Sequence, residues 1–426
     1  VSTFYIESLG CSKNQVDAET IIVLLGDAGW TYVEQPEDAE LIVVNTCGFI
    51  QSAKEESIAS VLDLRRAYPE KRIVVAGCLA QRHGTELREE LLEADAVVGN
   101  ADLSQVVDAV RRRNDHRPLL FADHREVAPR RSQLLSQPGS AFVKIGEGCS
   151  NRCSYCAIPL IRGDLRSRSP ESVEAEVRDL VARGIEEVNL VAQELVPLLR
   201  RILTIDGDFW LRMLYMHPEH VPDGLTAVVQ SDPRVLPYFD LPFQHASHRI
   251  LRLMGRSGTS AQYLELVERI RRELPDAVLR STFLVGLPGE TDEDFQELLD
   301  FQEAAQLDWM GAFVYSREEG TPAYALRHPG GERARAKDGK RRKAQLEDVQ
   351  IPISWARLDR WVGRIMPVLI EERVAEETLY LGRGPHTAPE VDGLVVVHGE
   401  GLPPGHRVPV KILRRNGFDL EGVAAP

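Results

Sequence analysis

Gly148-Cys149-Ser150-Asn151-Arg152-Cys153-Ser154-Tyr155-Cys156 decides how this chain is read. The spacing is C-x3-C-x2-C, with no fourth cysteine nearby. Three thiolates so close can hold three corners of a cubane 4Fe-4S cluster, leaving the fourth iron free to bind a substrate or cofactor. The plainer readings of these cysteines fit less well. A structural zinc site wants four Cys or His ligands, and the nearest histidines, His124 and His217, lack zinc-finger spacing. Disulfides need an oxidising compartment and an even number of partners.

An open iron that chelates the amino and carboxylate groups of S-adenosylmethionine can reduce its sulfonium and release a radical. The motif resembles the signature of the radical S-adenosylmethionine superfamily.

The rest of the chain sets the frame. Its 426 residues suffice for two or three domains, and a hydrophobic fraction of 43% allows each a real core. No run of about 18 apolar residues is present, so no membrane span is expected. Val1–Ile6 reads as a strand and not as a signal peptide, and without an initiator Met a few absent residues or an absent tag are expected. A cytoplasmic location is expected, which also suits reduced thiols. The net charge of -14 is a poor match to naked nucleic acid and favours a basic partner, with plain solubility as the alternative meaning.

Strands and helices alternate over residues 1–125. Strand-like runs are Phe4–Ser8, Leu41–Asn45, Arg72–Ala76 and Ala96–Val98, with helical stretches at Val16–Ala28, Ser52–Arg66 and Glu86–Leu92. That alternation predicts an α/β domain with a parallel sheet. Asp123–Gly139, rich in Arg, Ser, Gln and Pro, reads as a linker. A second alternating region over 140–345 has candidate strands at Ala141–Ile145, Glu187–Val191, Leu211–Tyr215, Tyr238–Leu241, Val278–Val285 and Gly311–Tyr315. Six strands suit a partial (β/α) barrel, whose active site belongs at the strand C-termini. The basic stretch Arg333–Lys343 reads as a solvated helix face leading into a helix over Ala344–Trp361. Residues 360–426 carry short strands punctuated by Gly and Pro, predicting a small β-barrel.

Three cysteines remain: Cys11, Cys47 and Cys78. Each follows a predicted strand, and ligands of open parallel sheets collect beyond the carboxyl ends of strands. The three thiolates would therefore meet at one rim as a second three-ligand site, with Gly10, Gly48 and Gly77 giving a bulky cluster room. The alternative is three separate buried cysteines packing as small hydrophobes.

Two sets of three cysteines, an α/β domain, a partial barrel and a small C-terminal β-barrel together resemble the methylthiotransferase family over nearly the whole chain. The resemblance implies that Cys149, Cys153 and Cys156 bind the 4Fe-4S cluster that takes S-adenosylmethionine. It implies that Cys11, Cys47 and Cys78 bind an auxiliary 4Fe-4S cluster, and that the C-terminal module is a TRAM domain. One branch of that family modifies an adenosine beside the tRNA anticodon. Another modifies an aspartate of ribosomal protein S-twelve. Gly10-Cys11-Ser12-Lys13-Asn14, Asn45-Thr46-Cys47-Gly48-Phe49-Ile50 and Cys156-Ala157-Ile158-Pro159 are similar to the ribosomal-protein branch. Seven Lys and Arg against nine Asp and Glu from Trp361 to Pro426 make a net charge of -2, a weak footprint for RNA. The expected reaction is methylthio transfer to the aspartate β-carbon. It needs an electron donor and the basic protein substrate, and direct RNA binding does not dominate. The rivals are a tRNA adenosine methylthiotransferase and a non-catalytic iron–sulfur scaffold.

Weaker signals lie in the barrel. Gly286 and Gly289, in Leu284-Val285-Gly286-Leu287-Pro288-Gly289-Glu290-Thr291, could let backbone approach the cofactor, or form an ordinary strand-to-helix turn capped by Thr291. Tyr155 packs on the cofactor or in the core. Gln244 and His245 end another strand, where a lone His is more often structural. After Val191-Ala192-Gln193 the loop is shorter than the family's pattern, which weakens Gln193 as a site residue.

Overall fold

The computed structural model describes residues 2–112, 118–121, 131–191, 196–374 and 377–425. It divides into two compact units. The first comprises Val1–Ser136, Gly146–Arg168 and Ser316–Tyr324, and the second Gln137–Ile145, Ser169–Tyr315 and Ala325–Pro426. Gln193 and much of the Asp123–Gly139 linker lie outside the described residues.

In the first unit, β1 (Thr3–Ser8), β2 (Thr31–Tyr32), β3 (Leu41–Thr46), β4 (Arg72–Gly77), β5 (Ala96–Gly99) and β6 (Leu119–Leu120) form one sheet in the order β2-β1-β3-β4-β5-β6. All its pairings are parallel. Every residue of β3 is buried, as a strand covered on both faces requires. Alternate residues feed two cores. Leu41 and Val43 pack with Ile21 and Leu25 of α1 (Ser12–Asp27) on one side. Ile42 and Val44 pack on the other with Val61 of α2 (Gln51–Ala67) and Leu79 of α3 (Cys78–Glu90). Each such Val, Leu or Ile contributes about 1.5–3 kcal/mol by burial. A short antiparallel pair, β8 (Gly146–Glu147) and β9 (Arg166–Ser167), closes the base of the segment that carries the C-x3-C-x2-C motif.

In the second unit, β7 (Ser140–Lys144), β10 (Glu187–Val191), β11 (Trp210–Leu214), β12 (Val235–Asp240), β13 (Val278–Val285) and β14 (Trp309–Val314) run parallel in the order β14-β13-β12-β11-β10-β7. The sheet stays open, the partial barrel expected. Residues Ile365–Arg373 (β15), Leu379–Arg383 (β16), Val395–His398 (β17), Arg407–Asn416 (β18) and Asp419–Ala424 (β19) close into a five-stranded barrel, the last strand being one the sequence did not suggest.

Three local readings change. α3 starts at Cys78 rather than Glu86, because Gly77, at φ +99°, turns the chain directly from strand into helix. The helix placed at Ala344–Trp361 begins at Gly331 and runs to Asp359. Its basic N-terminal part is only partly solvated. Arg335 is buried on the carbonyls of Gly286 and Tyr315, and Arg342 is buried beside Glu290. Within the linker, Arg131 is buried in an ion pair with Glu19 at 2.8 Å.

The open sheet and the closed barrel share a buried ionic group. Glu187 accepts from Arg212 at 2.9 Å and from Arg383, which also pairs with Glu371 at 2.6 Å. Arg212 also donates to the carbonyls of Pro385 and Gly384. Glu187, Arg212 and Arg383 are at most 1% exposed. Removing one partner of such a group leaves a buried charge uncompensated. Glu187→Ala is expected to destabilise the protein by about 3–5 kcal/mol, lowering the urea midpoint. Arg66→Ala, which breaks a pair exposed on both sides, leaves that midpoint essentially unchanged.

Candidate metal and cofactor site

Register builds the N-terminal site. Ser8 pairs with Asn45, and Thr46 with Gly77, so β1, β3 and β4 end side by side. Cys11 N-caps α1, Cys47 follows β3, and Cys78 opens α3. This edge is also where the chain order reverses, between β1 and β3. The thiols are graded in exposure: Cys11 exposed, Cys47 half-buried, Cys78 buried.

The backbone around them leaves no slack. A Cβ added at Gly10 would stand 2.9 Å from Cys47 Cβ and 3.2 Å from Cys47 Sγ. Ser57 Oγ on α2 accepts from Cys47 N and donates to Cys47 O, both at 3.0 Å, which fixes that loop. Asn14 is 1% exposed and donates to the carbonyls of Leu9 and Thr46 at 2.9 and 3.0 Å, joining the ends of β1 and β3. Its Oδ1 accepts from Cys78 Sγ at 3.1 Å.

Burial pushes the Cys78 thiol up to about 12, while the Arg162 guanidinium pulls the other way. Burial also raises Cys47. Arg162 comes from α4 (Ile158–Arg162), the short helix after Cys156. Its Nη2 donates to Asp17 Oδ2 at 2.6 Å, Asn14 Oδ1 at 2.8 Å and Cys78 Sγ at 3.4 Å, and its Nη1 to Glu147 Oε2 at 2.9 Å. Ala157 and Ile161 pack on Cys78.

Cys149, Cys153 and Cys156 lie half-buried on one loop. Cys156 N donates to the Cys153 carbonyl and Cys149 N to the Gly163 carbonyl, both at 3.1 Å. Arg152, between the first two thiols, is held left-handed at φ 54°, an uncommon conformation for a side-chain-bearing residue. Tyr155 is half-buried between Cys153 and Cys156. Ser154 O accepts from Ala323 N at 2.8 Å, tying the loop to Ser316–Tyr324.

Among the described residues no three Cys, His, Asp or Glu side chains are grouped to hold one metal ion. Each set offers three thiol donors, the number that a cubane with one open iron takes. The buried hydroxyl of Ser12, beside Cys11, has no hydrogen-bond partner among the described residues.

In the second unit, Gly286 and Gly289 follow β13 with φ +77° and +100°. Gly286 has a packing role, since a Cβ there would stand 2.8 Å from Gly339 Cα of the helix Gly331–Asp359. Thr291 caps the next helix in a reciprocal box with Asp294. Glu290, not singled out in the sequence, is buried, accepts from the Gly286 amide and pairs with Arg342 at 3.0 Å. His245 is buried, its Nδ1 accepting from Ser247 N and its Nε2 3.4 Å from Glu290. Gln244 is left-handed at φ 70°.

The open parallel barrel and the three-cysteine loop define a radical S-adenosylmethionine enzyme. The models of the uncharacterized protein family UPF0004, the radical SAM superfamily and the TRAM domain match residues 3–99, 143–301 and 362–424. Proteins named ribosomal protein uS12 methylthiotransferase RimO are similar over nearly their whole length. The one from Treponema denticola is 39% identical, covering 97% of this chain and 99% of its own. That from Moorella thermoacetica is 42% identical over 97% and 98%, and that from Thermotoga maritima 40% over 98% of each. The chain belongs to this family, the RimO methylthiotransferases, and is an enzyme of the transferase class. Its fold is also similar to that of the radical S-adenosylmethionine methyltransferase TsrM from Kitasatospora setae, with a TM-score of 0.55 at 17% identity over 76% of this chain and 77% of that one. As a radical S-adenosylmethionine enzyme it uses an iron–sulfur cluster and S-adenosylmethionine.

Gly77→Ala tests the tightness of the N-terminal site. The added Cβ would stand 2.6 Å from Asn45 Oδ1 and 2.7 Å from Thr46 O, at φ +99°. Thermal unfolding is expected to show a loss of about 1–3 kcal/mol from backbone strain alone. Gly184→Ala, also left-handed but facing open space, is expected to cost less.

Proposed function

We propose that this chain transfers a methylthio group to the β-carbon of an aspartate in ribosomal protein uS12 (S-twelve), in the cytoplasm, with electrons from a separate donor. One observation carries the chemistry. The convergent thiols of Cys11, Cys47 and Cys78 lie in the same compact unit as the Cys149–Cys156 loop, bridged by Arg162. The substrate reading is supported by the names of the relatives, and by the net charge of -14, which suits a basic protein.

Cys149, Cys153 and Cys156 would hold the cluster that takes S-adenosylmethionine, and Cys11, Cys47 and Cys78 an auxiliary cluster. Bound there, the first would supply one-electron cleavage of S-adenosylmethionine, and the second would hold sulfur for methylation before transfer. The chain's own residues orient and seal. Ser57 and Asn14 fix the backbone at Cys47 and the strand ends. Arg82 donates to Gly48 O at 3.1 Å and pairs at 2.7 Å with buried Glu318, which also takes Lys54, so the segment after Cys47 is held against Ser316–Tyr324. Tyr155 is a candidate packing surface for the cofactor.

Anaerobic reconstitution is expected to load about eight irons per chain, from two cubanes. Replacing Cys149, Cys153 and Cys156 with Ala leaves roughly half. Replacing Cys11, Cys47 and Cys78 instead preserves reductive cleavage of S-adenosylmethionine while abolishing sulfur transfer. Iron assay and product analysis check both, and unchanged iron in the first variant would falsify the assignment.

Mass spectrometry of purified uS12 after incubation is expected to show a methylthio group on an aspartate, with an anticodon stem-loop left unmodified. Methylthiolation of the RNA alone would transfer the proposal to the tRNA branch.

A further inference from the structure

Arg162 is 4% exposed, yet it is bound by more than its counter-ions. Asp17, 2% exposed, and Glu147 already neutralise it. Its Nη2 also reaches Cys78 Sγ, the most buried of the N-terminal thiols. Asn100 Nδ2 donates to the same sulfur at 3.4 Å, so Cys78 Sγ faces two N–H donors away from water. Arg162 belongs to the chain just after Cys156, 84 residues beyond Cys78.

Hydrogen bonds to ligand sulfurs, local net charge and solvent exposure set the potential of an iron–sulfur cluster. A reduced cluster carries one more negative charge than an oxidised one. A guanidinium N–H on a ligand sulfur in a dry site stabilises that added charge, and a nearby carboxylate opposes it. We infer that Arg162 is a positioning residue of the N-terminal thiol site, which through Cys78 raises the reduction potential of the group held there, with Glu147 opposing it by partly neutralising Arg162. The inference rests on Cys11, Cys47 and Cys78 being cluster ligands.

The test uses the full-length chain with Cys149, Cys153 and Cys156 replaced by Ala, so that only the N-terminal site reports. After anaerobic reconstitution, a redox titration followed by electron paramagnetic resonance gives its midpoint potential. Arg162→Gln shifts that midpoint to more negative values, and Glu147→Gln shifts it to more positive values, with iron per chain equal to the parent's. Shifts of opposite sign are what a charge acting on the site produces and what loosened packing does not. Should Arg162→Gln fail to load iron, Glu147→Gln decides alone, since its carboxylate is partly exposed and its replacement is nearly isosteric. An upward shift supports the inference. Midpoints that do not move, or that move the same way in both variants, overturn it while leaving the ligand assignment standing. A parent without iron overturns both.

Discussion

Parallel pairing is the constraint on which the N-terminal site depends. A parallel strand must be reached by a crossover, so every strand of that sheet ends at the same edge. β1, β3 and β4 are neighbours in register, and the residues that follow them therefore emerge together. Three cysteines spread over 68 positions of sequence, from Cys11 to Cys78, are thereby brought to one edge of the sheet. Nothing in their own side chains has to draw them together. Cys11 N-caps α1 and Cys78 opens α3, so two of the thiols also sit at the positive ends of helices.

Buried charge is the second organising device, and each unit uses it. Arg162 collects Asp17, Asn14, Glu147 and a thiol, while Glu187 collects Arg212 and Arg383. Desolvating such groups is costly, and well-packed apolar residues often do as well for stability. What ions add is direction, because a misplaced partner leaves a charge stranded. In the second unit this fixes how the C-terminal barrel meets the open sheet, with Trp309 Nε1 donating to His386 O at 2.7 Å beside it. A TRAM module so anchored is part of the enzyme body's own core.

Much of this was legible in the residues. Continuous apolar runs such as Leu41–Val44 announce strands covered on both faces, and cysteines just after such runs announce a shared edge. The limits have physical causes. Arg162 reaches Cys78, Asp17 and Asn14 across 84 to 148 residues, and no periodicity encodes a single long-range ion pair. Asn14 stood in the quoted motif beside Cys11, and its amide could have been read as a tie between strand ends. The early start of the helix Gly331–Asp359 was hidden because its first turns are charged, and burial of Arg335 and Arg342 depends on carbonyls and carboxylates supplied from elsewhere. β19 is short and follows a tight turn at Gly417, so it merges with β18 in a pattern-based reading.

The first unit is assembled from three separate stretches of chain, the last being Ser316–Tyr324. A ribosome therefore delivers its parts out of step. At roughly 5–20 residues per second, Arg162 emerges roughly 4–17 s after Cys78, and Glu318 waits longer still for its release beside Arg82 and Lys54. During that interval the sheet can form while its deepest thiol lacks its cation. A scavenging metal or an oxidant that meets the chain in that interval meets the N-terminal thiols before Arg162 has arrived.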